Sequence, residues 1–92
     1  EYMEQFVGEI FEGVVSGVTA WGVYVELPNT IEGMVSVNNM RGYYVFDENH
    51  YEMFNETTHQ TYKLGQKVRV VVVDTNAISR TIDFMFAQDY EE

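Results

Sequence analysis

Trp21 and Tyr24 are the residues whose type and spacing most invite chemistry: two large rings three positions apart in Val18-Thr19-Ala20-Trp21-Gly22-Val23-Tyr24-Val25-Glu26. In an unbroken strand, residues three apart face opposite sides. Gly22 between them can supply a bulge or bend that turns both rings outward. Two exposed rings on one strand form a platform on which unpaired bases stack, each stack contributing ~1–3 kcal/mol with little regard for base identity. A plainer reading stands beside this one, in which Trp21 caps the end of a hydrophobic core.

A platform for nucleic acid also needs cations, because phosphate contacts supply much of the affinity. The net charge of -10 argues against such a partner until the charge is mapped along the chain. Residues 1–12, 47–56 and 83–92 are acidic and hold no Lys or Arg, whereas residues 57–82 hold Lys63, Lys67, Arg69 and Arg80 against Asp74 alone. A locally basic face on an acidic body is therefore possible. Arg80 reads either as a phosphate or base contact or as a strand-start Arg paired with Asp74 or Asp83, and such exposed pairs contribute ~0–1 kcal/mol. Lys67 and Arg69 share a strand face, where long basic side chains are commonly just solvated.

Other chemistries find less support. His50 and His59 sit among Asp47, Glu48, Glu52 and Glu56, but neither a His-x3-His pair nor any Cys accompanies them, so no metal site is expected. The chain has no cysteine, no Ser with an evident His and Asp partner, and no Gly-rich phosphate loop. The expectation is a binding domain rather than an enzyme, with no cofactor and no metal.

The elements that must position these residues read as strands. Residues 10–18 form a long, mostly buried strand relaxed by Gly13 and Gly17. Val23, Val25 and Leu27 alternate with Tyr24 and Glu26, residues 34–37 give a short third strand, residues 67–73 a fourth and residues 81–86 a fifth, with a polar hairpin loop over 74–79. Five short strands favour a closed all-β barrel, which removes exposed edges. The stretch 38–64 is too long for a plain loop and is expected to carry helix, with residues 48–55 the candidate. Its rings Tyr43, Tyr44 and Phe46 are expected to anchor it on the barrel. Residues 1–7, with Tyr2, Met3, Phe6 and Val7 at roughly helical spacing, read as the tail of an incoming helix. The chain opens on Glu1 rather than Met and is expected to be a piece of a larger protein. No apolar run approaches the ~20 residues that cross a bilayer.

With the elements in place, the ordered segments Gly8-Glu9-Ile10-Phe11-Glu12-Gly13-Val14-Val15, Trp21-Gly22-Val23-Tyr24-Val25, Glu32-Gly33-Met34-Val35 and Leu64-Gly65-Gln66-Lys67-Val68 resemble the S-one RNA-binding domain. That resemblance spans residues 8–87 and implies an oligonucleotide-binding (OB-fold) barrel, leaving 88–92 as an acidic tail. The long 38–64 insert, with Tyr43-Tyr44-Val45-Phe46-Asp47-Glu48, Tyr62-Lys63-Leu64-Gly65 and Arg80-Thr81-Ile82-Asp83-Phe84, looks like that of the S-one domain closing bacterial ribonuclease R. The resemblance implies that Trp21 and Tyr24 occupy the family's aromatic RNA-contacting positions. Ser36 stands where the family carries a His, and Asn76 and Arg80 stand where it carries an acid and an Arg four residues later. The implied partner is single-stranded RNA, held by a cytoplasmic, monomeric domain for the 3' to 5' exoribonuclease body of the parent. Two rivals stay open: an S-one domain of another RNA-handling protein, and an acidic barrel serving protein–protein contact.

Overall fold

A computed structural model describes residues 6–76, 78 and 81–90. Through these run β1 (Ile10–Val18), β2 (Gly22–Glu26), β3 (Glu32–Ser36), β4 (Tyr44–Asp47), β5 (Glu52–Asn55), β6 (Thr61–Lys63), β7 (Lys67–Asn76) and β8 (Thr81–Phe86), followed by a short helix α1 (Ala87–Tyr90). Strands β1, β2, β3, β8 and β7 close into a barrel in that order, and β4, β5 and β6 form a separate antiparallel sheet.

The barrel follows from alternation. Val15, Val23, Val25, Val35, Val70, Val72 and Phe84 point inward and are essentially inaccessible, while Ser16, Glu26 and Glu32 face out. Closure comes from two seams. β1 pairs antiparallel with β7 from Ile10↔Val71 to Val14↔Lys67. β3 pairs parallel with β8 through Met34↔Asp83 and Val35↔Phe84. A register shift in β1 between Val15 and Gly17 leaves Ser16 as an extra residue opposite β2, the kind of bulge that tightens strand twist.

Most of the strand reading holds, with shifts at the ends. The third strand begins at Glu32 rather than at residue 34. The fourth runs on to Asn76, so part of the polar stretch read as loop is strand: Asp74↔Asp83, Thr75↔Ile82 and Asn76↔Thr81 extend the hairpin. Polar residues pair well in such an arm because its outer positions are solvated and backbone bonds alone can sustain it.

The insert departs further from expectation. Instead of helix it carries the sheet β4-β5-β6, apart from one 3-10 turn at Val37–Asn39. Residues 48–55, the expected helix, are split by a turn in which Asp47 Oδ1 accepts from the backbone of Asn49 at 3.0 Å and Tyr51 adopts φ 53°. Alternation explains the outcome: Tyr44, Met53, Asn55 and Tyr62 are buried, with Val45, Phe54 and Thr61 between them on the opposite face. Tyr44, Met53 and Tyr62 belong to the same core as the barrel valines. Tyr62 lies flat on Phe86, with ring centroids 3.9 Å apart and planes 1° apart. Of the three rings expected to anchor the insert, Tyr44 is buried and Phe46 packs partly on the core, whereas Tyr43 is 77% exposed. Tyr43 precedes β4 and so escapes its inward alternation.

The incoming helix read over residues 1–7 lies almost wholly outside the described residues. Phe6 does pack edge-on against Phe11, with centroids at 5.7 Å.

Candidate nucleic-acid interface

β1 and β2 are joined by a tight turn, and Trp21 sits in it, immediately before β2. Its ring is 60% exposed. The indole Nε1 donates to the Tyr24 hydroxyl at 3.3 Å, so the two rings share the outer side of the barrel. Of the two expected causes it is a bend that occurs, at Ala20 and Trp21 just before Gly22; no bulge forms at Gly22, which stays in register with Ser36. Trp21 faces outward because it belongs to the turn rather than to the strand's alternation. Gly22 serves closeness instead: a Cβ there would stand 2.5 Å from the Val35 carbonyl oxygen.

Around Tyr24 the pleat assembles a row. Tyr24 is opposite Gly17 on β1 and Met34 on β3, and Met34 is opposite Asp83 on β8. Gly17 has no side chain, and the Tyr24 ring lies beside it, 3.4 Å from where a Cβ would be. Met34 is a member of this row that reasoning from residue types missed. Its signal was available, since Met34 lies two positions from Ser36 and must share its face. A thioether adapts its shape to a flat ligand more readily than a branched side chain does.

Ser36 sits at the Trp21 end of this face. Its Oγ accepts from the Asn38 backbone at 3.2 Å and caps the 3-10 turn, which leaves its hydroxyl proton available to an incoming acceptor. Asn76 lies near the tip of the β7–β8 hairpin, where its Oδ1 accepts from the Ile78 backbone at 3.0 Å, a turn-forming role. Arg80, the cation with the best claim on a phosphate, lies outside the described residues.

Lys67 and Arg69 are not brought to the rings. They pair across β1 with Val14 and Glu12 and line a groove of about 810 Å³ between barrel, insert and α1, together with Glu26, Pro28, Tyr62 and Gln88. Neither Trp21 nor Tyr24 lines it. Among the described residues neither cation makes an ion pair, so both remain available to an anion.

Perturbed titrations lie away from the rings. In the β4–β5 turn, His50 Nδ1 stands 2.9 Å from Asp47 Oδ2. The bond from His50, aided by backbone N–H groups, holds the Asp47 carboxyl below its usual range, and the bond to Asp47 raises His50. Burial pushes the phenols of Tyr44 and Tyr62 up, so both stay neutral near pH 7. Among the described residues no three His, Cys, Asp or Glu side chains gather as metal ligands would, and no helix is long and apolar enough to cross a membrane.

Residues 4–85 match the family described as S1 RNA binding domain. This chain belongs to that family. The S1 domain is 37% identical over 87 residues to ribonuclease R 1 of Lactococcus lactis, covering 94% of this chain and 11% of that protein. It is 40% identical over 86 residues to ribonuclease R of Escherichia coli, covering 91% of this chain and 11% of that protein. The S1 domain thus spans about a tenth of the length of the curated relatives it matches. Its fold also superimposes on RNase R of Mycoplasma genitalium, solved in complex with ribose-methylated single-stranded RNA, with a TM-score of 0.85 at 16% identity over 92% of this chain and 14% of that one.

Proposed function

We propose that this S1 domain binds single-stranded RNA by stacking unpaired bases on Trp21 and Tyr24, and that it holds the strand for a 3' to 5' exoribonuclease body elsewhere in a longer, ribonuclease R-like protein. The observation that carries the reading is the exposed Trp21 ring bonded to Tyr24 on one outer face of the barrel. Stacking on such a pair is tolerant of sequence and demands unpaired bases. Ser36 and Met34 border the rings and supply a hydroxyl and a soft apolar edge. Arg80 is assigned a phosphate, and Asn76, at the end of β7, a part in the turn that follows it. Lys67 and Arg69, on β7 across β1 from Tyr24, assist by long-range attraction that salt screens.

The domain contributes binding and no bond cleavage, it needs no cofactor, and it works as a monomer in the cytoplasm. With a net charge of -10, its affinity alone is low. The decisive experiment is an NMR titration of the 92-residue chain with oligo-adenylate, oligo-uridylate and a duplex of matched length. Shifts centred on Trp21, Tyr24, Met34 and Ser36, weaker with duplex, support the reading. Absence of binding at low salt overturns it in favour of a protein-contact module. Similarity to ribonuclease R over more than nine-tenths of the chain supports the link to that enzyme over other RNA-handling parents.

A further inference from the structure

Thr19 lies in the turn between β1 and β2 and is half-buried. Its Oγ1 donates to the Gly22 carbonyl at 2.9 Å. The same oxygen accepts from the Gly22 backbone N–H at 3.1 Å and from the Trp21 backbone N–H at 3.3 Å. A hydroxyl has one proton and two lone pairs, so this one is fully used within four residues. The Thr19 backbone N–H also donates to Gly22 O at 2.9 Å, closing the turn. From the other side, the Val37 N–H donates to the Trp21 carbonyl at 2.9 Å.

Trp21 is therefore held by both of its backbone polar groups, while its ring is largely exposed and donates a hydrogen bond to Tyr24. An exposed ring takes its direction from its backbone when few side chains surround it. We infer that Thr19 is a positioning residue for RNA binding, its hydroxyl fixing the turn that holds Trp21 ready for a base. The inference rests on Trp21 and Tyr24 being the platform. The physical reason is preorganisation: a loose turn must be ordered as RNA binds, and that cost is subtracted from the stacking energy. Valine in place of Thr19 keeps the size and branching and removes all three bonds. Serine keeps the hydroxyl.

The test uses the 92-residue chain, labelled oligo-uridylate and the fluorescence of the single Trp. Thr19→Val should lower affinity about ten-fold, on the order of one lost base stack, and should lower the Trp21 anisotropy of the free protein through faster local motion. Thr19→Ser should stay within about two-fold of the parent, in line with stacking energies of this size. In a Trp21→Ala background, Thr19→Val should cost nothing further, because there is no ring left to position. A destabilising effect of general kind would instead lower affinity equally in both backgrounds, and that result overturns the inference. So does unchanged anisotropy in free Thr19→Val. If Thr19→Val melts below the assay temperature, Thr19→Ala serves in the same comparison. If Trp21→Ala leaves RNA affinity intact, the platform reading falls, and the anisotropy of the free variants still decides whether Thr19 holds the ring.

Discussion

The indole N–H of Trp21 donates to the hydroxyl of Tyr24 across 3.3 Å, tying a ring that is 60% exposed to one that is half-buried. The bond gives the outer ring a fixed neighbour without burying it. It also couples the two rings, so that their substitutions should not be additive, although neither ring belongs to the buried core.

Trp21→Ala and Tyr24→Ala should each weaken RNA binding by ~1–3 kcal/mol. The melting temperature should move little for Trp21→Ala, since exposed substitutions stay near ~0.5 kcal/mol. Tyr24→Phe should keep most of the stacking and lose the bond to Trp21. Fluorescence polarisation with labelled RNA and thermal melts on the same samples check both. A sharp drop in melting temperature with RNA affinity retained would assign Trp21 to the core.

Met53→Ala and Tyr62→Ala should cost ~2–5 kcal/mol, although both lie in the insert, because their side chains complete the barrel's core. Urea unfolding followed by Trp21 fluorescence and by far-ultraviolet circular dichroism should give one coincident transition. Two transitions in the parent protein would show that insert and barrel unfold separately.

Gly22→Ala should destabilise by ~1–3 kcal/mol, the usual cost of overpacking, because the new methyl would meet the Val35 carbonyl oxygen at 2.5 Å. Gly65→Ala is a contrasting control: nothing lies within 4 Å of its Cβ position, but its φ of 82° makes the strain conformational. Denaturant midpoints of the two variants measure the difference.

The Asp47–His50 pair sets a pH dependence confined to the β4–β5 turn. His50 is raised above its ordinary 6.5, so its support of the folded turn is complete below that value and is lost as pH rises through the higher folded value. Asp47 is lowered below its ordinary 3.8, so its contribution is present above that value and is lost as pH falls through the lower folded one. The turn is best supported between those two ordinary values. Proton NMR of His50 should show a midpoint above 6.5 that returns toward it in Asp47→Asn; no change in that variant would refute the coupling.

Lys67→Gln and Arg69→Gln should weaken RNA binding less than Trp21→Ala, because both stand on β7, across β1 from Tyr24, in a groove that neither ring lines. Arg80→Gln should lower the slope of log affinity against log salt by ~0.7, the value for one phosphate of a single strand. Titrations at several salt concentrations check both expectations. A comparable fall in slope for Lys67→Gln would extend the strand's path into the groove.

The barrel strands were legible because burial on one face leaves a period of two, as in Val23 and Val25 or Val70 and Val72. The insert was misread because a helix and a short hairpin differ little over 48–55 until a turn is fixed, and that turn depends on the Asp47 carboxylate and on Tyr51 accepting a positive φ. The shared face of Trp21 and Tyr24 was legible as an outcome but not as a cause. Sequence offered Gly22 as a bulge or bend, whereas the bend falls at Ala20 and Trp21, shaped by the Thr19 hydroxyl, and packing against Val35 is what needs that glycine. Lys67 and Arg69 were correctly placed on one face, but only the closure of β1 onto β7 reveals that this face opens on a different groove.

The sheet β4-β5-β6 has a kinetic consequence. Its pairings join neighbouring segments, such as Tyr44↔Asn55 and Met53↔Tyr62, whereas the seam Ile10↔Val71 joins segments far apart in the sequence. Local hairpins form within about 1–10 μs, and distant pairings wait on the entropy of loop closure. An insert that folds early turns the long excursion between β3 and β7 into a short, stiff bridge. β1 and β7 then search a smaller volume for each other, so slowing the insert's hairpins should slow the closing of the whole barrel.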